Sequence, residues 1–218
     1  MEALAPYIQR LALWAVPVLA AVVLHEVAHG YVAYRLGDST AARLGRLTLN
    51  PFAHIDLFGT VVLPLMLLFG GAAFLFGYAK PVPVNFLNLR NPRRGMVLVA
   101  LAGPVMNLLL AGISAMVVRV LLSLPIPNND FLTNNLVVIA KMAQYSVLMN
   151  VGLAVFNLLP IPPLDGGRVA TGLLPQSSAL ALARLEPYGM LIIMVLLMSG
   201  VLDRLLHPMT ALLLHVLL

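Results

Sequence analysis

Four long apolar stretches, residues 6–36, 95–122, 135–159 and 179–200, and a shorter one over 205–218, leave this sequence few ways to fold. An α-helix rises about 1.5 Å per residue, so roughly 20 apolar residues cross the ~30 Å hydrocarbon core of a bilayer. Water is absent there, and each backbone amide and carbonyl must find its partner within the chain, which restricts spanning segments to helices and closed barrels. Runs of this length fit helices. The composition agrees: 61% of residues are hydrophobic, 10% are charged and the mean hydropathy is +0.98, which excludes an ordinary soluble domain. We therefore expect an all-α polytopic membrane protein with about five transmembrane helices, forming one domain over 1–218. Before the motif described next, the amino-terminal part of the first stretch carries one arginine, Arg10, and no small-residue cleavage site, so it is expected to be retained and not removed as a signal peptide.

That first helix contains Leu24-His25-Glu26-Val27-Ala28-His29-Gly30, three ionisable groups within five residues. Each costs at least ~2.5 kcal/mol in lipid by insertion scales, and such groups track function. On a helix His25 and His29 stand one turn apart on one face, so both rings can reach one ion, with Glu26 projecting beside it towards a water on that ion. This is the zincin arrangement, in which zinc keeps a position for water and lowers its pKa towards ~7. Glu26 would take that proton and deliver it to a leaving amine. The sequence has no cysteine, so any metal must be held by nitrogen and oxygen. The competing reading is two neutral packing histidines and a glutamate paired with an arginine.

Downstream, Arg43-Leu44-Gly45-Arg46-Leu47-Thr48-Leu49-Asn50 alternates imperfectly and reads as a short β-strand or, equally, as a basic loop at the headgroups. Residues 57–78 are apolar but flanked on both sides by basic residues, which favours a re-entrant hairpin turning near Gly70-Gly71 over a full crossing. The span over 95–122 carries Ala102-Gly103-Pro104 and Asn107; Asn107 is either an interhelical hydrogen-bonding group or an orienting contact near the metal. The helix over 135–159 runs into Asn157-Leu158-Leu159-Pro160-Ile161-Pro162-Pro163-Leu164-Asp165-Gly166-Gly167-Arg168. Prolines stop it, and Asp165 is presented from a broken, apolar-flanked turn. An oxygen ligand is the part missing beside two histidines; the alternative is an ordinary Asp-Gly turn. His207 and His215 are assigned no role.

Nine of the thirteen basic residues, Arg35, Arg43, Arg46, Lys80, Arg90, Arg93, Arg94, Arg168 and Arg184, fall on one side if the first span ends inside. This predicts a site opening to the cytoplasm with the amino terminus outside. The net charge of +5 is scattered between apolar segments and forms no stripe, so nucleic acid is not an expected partner.

His25-Glu26-Val27-Ala28-His29, the Ala102-Gly103-Pro104 helix with Asn107, and Asn157-Leu158-Leu159-Pro160 leading to Leu164-Asp165-Gly166-Gly167 together resemble the site-2 protease family of intramembrane zinc metalloproteases. The resemblance covers most of the chain in order. It implies one Zn²⁺ per chain held by His25, His29 and Asp165, Glu26 as general base, and Asn157 as a polar residue beside the metal. It implies cleavage of a membrane protein's transmembrane segment near the cytoplasmic face, in a bacterial inner membrane. Small bacterial members without a PDZ domain are also similar over Asn50-Pro51 to His54-Ile55-Asp56, which makes His54, with Asn157 and Asn107, a candidate for substrate or transition-state contact. The alternatives are a membrane zinc hydrolase acting on lipids or lipidated peptides, and a non-catalytic transporter or scaffold using His25, Glu26 and Asp165 as a cation or proton site.

Overall fold

The structure, a computed structural model, describes residues 5–70, 77–125 and 129–218. Helix α1 spans Ala5–Arg35, followed by the single turn α2 (Thr40–Arg43), a 3₁₀ turn at Pro51–His54, a π-helical stretch at Leu57–Val62 and α3 (Leu63–Phe69). Then come a 3₁₀ turn at Phe86–Asn88, the long helices α4 (Pro92–Ser123) and α5 (Asp130–Asn157), and the shorter α6 (Asp165–Leu173), α7 (Gln176–Ala183), α8 (Gly189–Met198) and α9 (Val201–Leu217). The long helices start where capping chemistry allows. Asn91 accepts from the Arg94 amide ahead of Pro92, and Asn129 accepts from Leu132, which opens α5 five residues before the expected 135.

Helices α1, α4 and α5 contact one another, and α6 packs on α4. On α4 the small residues Ala111 and Ala115 are buried against Val147, Val151 and Val155 of α5, letting the two backbones approach, and α9 covers this cluster with Leu206, Leu213, Leu214 and Leu217. The opposite face of α4 exposes Leu109, Ile113, Met116 and Val120, an apolar surface suited to lipid.

Two expectations need correction. Among the described residues four helical segments, Leu13–Arg35, Pro92–Ser123, Asp130–Asn157 and Gln176–Met198, are long and apolar enough to cross a membrane, and not five. The terminal helix α9 has 17 residues and carries Asp203, Arg204 and His207. Second, no strand forms among the described residues, and Arg46–Asn50 is irregular chain. The segment facing it contains Pro81 and Pro83, which have no amide to give to a ladder. The Arg46 guanidinium instead donates to the carbonyl oxygens of Lys80 and Pro81, at 3.0 and 3.4 Å.

The reversal expected near Gly70-Gly71 runs into residues 71–76, outside the described ones. Its two flanks nevertheless meet: the Tyr78 amide donates to the Gly59 carbonyl at 3.0 Å, Thr60 Oγ1 donates to the Tyr78 carbonyl, and the Lys80 amide donates to the His54 carbonyl. The chain that departs at Leu57 is back beside its origin by Tyr78.

Asp38 fixes how the end of α1 meets the segment that follows the hairpin. Gly37 takes a left-handed φ of 118°, and the fully buried Asp38 then accepts from the Thr40 hydroxyl and amide, the Asn85 amide at 2.7 Å and Asn88 Nδ2 at 3.0 Å. Burial acts to raise this carboxyl's pKa, but the hydrogen bonds outweigh it and hold the group below its ordinary 3.8. Its contribution to stability is therefore complete above about pH 4 and is lost as pH falls through the lower folded value. In thermal melts of the detergent-solubilised protein, Asp38→Ala should cost about 1–3 kcal/mol in all, since its part-buried donors can turn to water. Below about pH 4 the melting temperature of the wild type should fall towards that of Asp38→Asn.

Candidate metal centre

Helical spacing brings His25 and His29 to one face of α1, where the rings lie edge to face with centroids 4.6 Å apart. Their Nε2 atoms are 3.0 Å apart, and Asp165 Oδ2 lies 3.2 Å from each. All three residues are buried, at 7–8% exposure. Asp165 arrives as the first residue of α6. Gly166 and Gly167 sit in the first turn of α6 against the backbone of Leu158, Leu159, Ile161 and Pro162, where any Cβ would collide.

The outer nitrogens of both rings are committed as donors. His29 Nδ1 is 2.6 Å from the Val99 carbonyl, which can only accept. That carbonyl is on the turn of α4 loosened by Pro104, whose missing amide leaves the Ala100 carbonyl without its helical donor. His25 Nδ1 is 2.6 Å from Asn107 Oδ1. With protons on both Nδ1 atoms, two Nε2 lone pairs and a carboxylate oxygen that has no hydrogen-bond donor face one point in a buried place. Such a trio repels itself unless a cation sits between. Its 3.0–3.2 Å sides match the edge of a tetrahedron with arms of ~2.0–2.1 Å, about 3.3 Å, the geometry of zinc with nitrogen and oxygen ligands. The donor set therefore fits the ion.

Around the trio is a cavity of about 430 Å³ with mostly apolar walls that include Val22, Val99, Phe156 and Met190. Glu26 lines it, and the Val82 amide donates to Glu26 Oε2 at 2.7 Å. Asn157 also lines it, with its Nδ2 donating to the Leu153 carbonyl of its own helix at 3.0 Å. Asn107 is fully buried behind His25 and does not line the cavity. The geometry is that of both readings: Asn107 Oδ1 faces the His25 ring, and its Nδ2 bonds to the neighbouring helices α1 and α5. His54, 3% exposed, lies outside the cavity wall; its Nε2 donates to the Thr48 carbonyl at 2.9 Å and its Nδ1 has no partner among the described residues. The Val82 amide and Gly103 were not legible as parts of the site: one is a backbone group, and the other acts through the side chain it lacks.

At Gly103 the α4 backbone lies directly on the two rings, and a Cβ would strike His29 Nε2 and His25 Cε1 and Nε2. Overpacking of this kind costs about 1–3 kcal/mol. Gly103→Ala should therefore weaken zinc binding about ten- to hundredfold, measured by chelator competition, whereas Gly112→Ala, on the same helix with nothing within 4 Å of the new methyl, should leave it unchanged.

The profile of Peptidase family M50 matches residues 13–138 and 132–200. The chain is 38% identical over 194 residues to "Putative zinc metalloprotease YwhC" of Bacillus subtilis, covering 89% of this chain and 84% of that protein. It is 33% identical over 185 residues to "Putative zinc metalloprotease Rip2" of Mycobacterium tuberculosis, covering 85% of this chain and 66% of the relative, and 31% identical over 187 residues to the Rip2 of Mycolicibacterium smegmatis. No solved structure matches. A family match across most of an apolar chain, together with relatives similar along nearly its whole length, establishes that the chain belongs to peptidase family M50.

Proposed function

We propose that this protein is an intramembrane zinc metalloprotease that hydrolyses peptide bonds in or near the transmembrane segments of other membrane proteins, its whole length acting as one membrane-embedded domain. The observation that carries the reading is the buried triangle of His25 Nε2, His29 Nε2 and Asp165 Oδ2 beside a carboxylate, in a chain of a peptidase family. Held by these three atoms, zinc would polarise a carbonyl and lower the pKa of a water in its remaining position towards ~7.

Glu26 serves as general base. The Val82 amide occupies one of its oxygens, which orients the carboxylate and leaves Oε1 to take the water's proton and pass it to the leaving amine. Asn157, on the cavity wall, supplies an amide N–H to the developing oxyanion once it releases the Leu153 carbonyl. Asn107 supports the site from behind. His54 joins Thr48 to the returning Lys80 through its ring and its carbonyl, and so secures the segment that carries Val82. Apolar cavity walls suit the side chains of a transmembrane substrate. The joined flanks of 57–78 support a hairpin that enters and leaves on one side. The clustering of basic residues at the carboxyl end of α1 supports a cavity open to the cytoplasm in a bacterial cell membrane.

Two tests follow from this chemistry. Against a panel of single-span membrane proteins, Glu26→Gln should retain about one zinc per chain and cleave none of them; turnover at the wild-type rate would remove Glu26 from its role. Val82→Pro removes the orienting amide together with the valine side chain, and should lower kcat on the order of a hundredfold with zinc content unchanged, while Val82→Ala, which removes the side chain alone, stays near wild type.

A further inference from the structure

Asn107 has more to do than touch His25. Its Nδ2 donates both to the Ala21 carbonyl, on the same helix as His25, at 3.2 Å and to Asn150 Oδ1 at 2.8 Å. Both amide protons are thereby spent, and only Oδ1 is left to face His25 Nδ1. Asn150 is oriented in the same way. Its Nδ2 donates to the Ser146 carbonyl at 2.9 Å and to Ser146 Oγ at 3.2 Å, leaving Oδ1 for Asn107, and Ser114 Oγ donates to Ser146 Oγ at 2.8 Å. A chain of donation thus runs from the His25 ring through Asn107 on α4 to Asn150 on α5 and ends at Ser146, which also accepts from Ser114.

The direction of that chain decides whether His25 can hold a metal. If the Asn107 amide were turned over, its NH₂ would face Nδ1, the ring proton would move to Nε2, and no lone pair would point at His29 and Asp165. We propose that Asn150, which lines no part of the cavity, is a positioning residue of the metal centre: through the Asn107 amide it holds the His25 proton on Nδ1 and the Nε2 lone pair towards the ion. The inference rests on the zinc reading above. His29 provides an internal control, because its Nδ1 proton is fixed by the Val99 backbone carbonyl and owes nothing to Asn150.

The test uses the full chain in detergent. Zinc affinity is measured by chelator competition, and the protonated ring nitrogen of each histidine is read by ¹⁵N NMR of the metal-free protein in buffer alkaline enough to keep both rings neutral. Asn150→Leu should weaken zinc binding about ten- to hundredfold and give His25 mixed tautomers, with His29 still protonated on Nδ1. Asn150→Asp keeps an oxygen for Asn107 and, ionised, accepts from the Ser146 hydroxyl in place of donating to it, and should return His25 to protonation on Nδ1. If the leucine variant does not fold, Asn150→Ala is read in its place. Unchanged affinity and an unchanged His25 tautomer on losing the Asn150 amide would overturn the proposal. So would loss of order at His25 and His29 together, which is the mark of general loosening. Failure of the zinc reading itself is distinct, because the wild type would then bind no zinc whatever its tautomers.

Discussion

Two imidazole lone pairs and one carboxylate oxygen, 3.0–3.2 Å apart and buried, repel one another. That confrontation inside an apolar helix packing is the constraint to which the surrounding structure is fitted. A fold would abandon it at little cost unless a divalent ion supplied the missing attraction, since each ligand carries a desolvation penalty and offers its neighbours none of the hydrogen bonds that would offset it. The ion and the packing are therefore parts of one arrangement, and metal binding is coupled to holding α1, α4 and α6 together.

Each helix contributes in a way that follows from its sequence. α1 sets two rings one turn apart. α4 comes close enough to touch them because Gly103 has no side chain, and it offers a carbonyl to His29 and an amide oxygen to His25. α5 ends at Asn157, and the proline-rich turn after it delivers Asp165 at the head of α6. Arg93 ties the far end of α6 back to α4 by donating to the carbonyls of Gly172 at 2.8 Å and of Leu174. Residues of the 77–84 segment line the cavity and orient Glu26 through the Val82 amide.

Much of this was legible in the sequence, for reasons that are physical. His25, Glu26 and His29 announce themselves because charge is expensive in lipid and because a four-residue spacing fixes which side chains share a face. Asp165 stood out because prolines and glycines around a lone carboxylate mark a broken helix. What was not legible depends on partners remote in the chain. The alternation at Arg46–Asn50 suggested a strand, but the opposing stretch is interrupted by Pro81 and Pro83, so side-chain bonds from Arg46 take the place of a ladder. The fifth span was lost because α9 has 17 residues and carries Asp203, Arg204 and His207. Asn150 reads in the sequence as one more polar residue in a span; only the orientation of its amide relative to Asn107 gives it meaning.

The central claim is that these helices exist to hold one divalent ion between two imidazoles and a carboxylate. X-ray absorption at the zinc edge of the purified, zinc-loaded protein tests it most directly. The account requires a first shell of four nitrogen or oxygen atoms at ~2.0–2.1 Å, with the outer-shell scattering of two imidazole rings. A shell without imidazole scattering, or zinc that washes away as readily from the wild type as from a chain lacking Asp165, would contradict it.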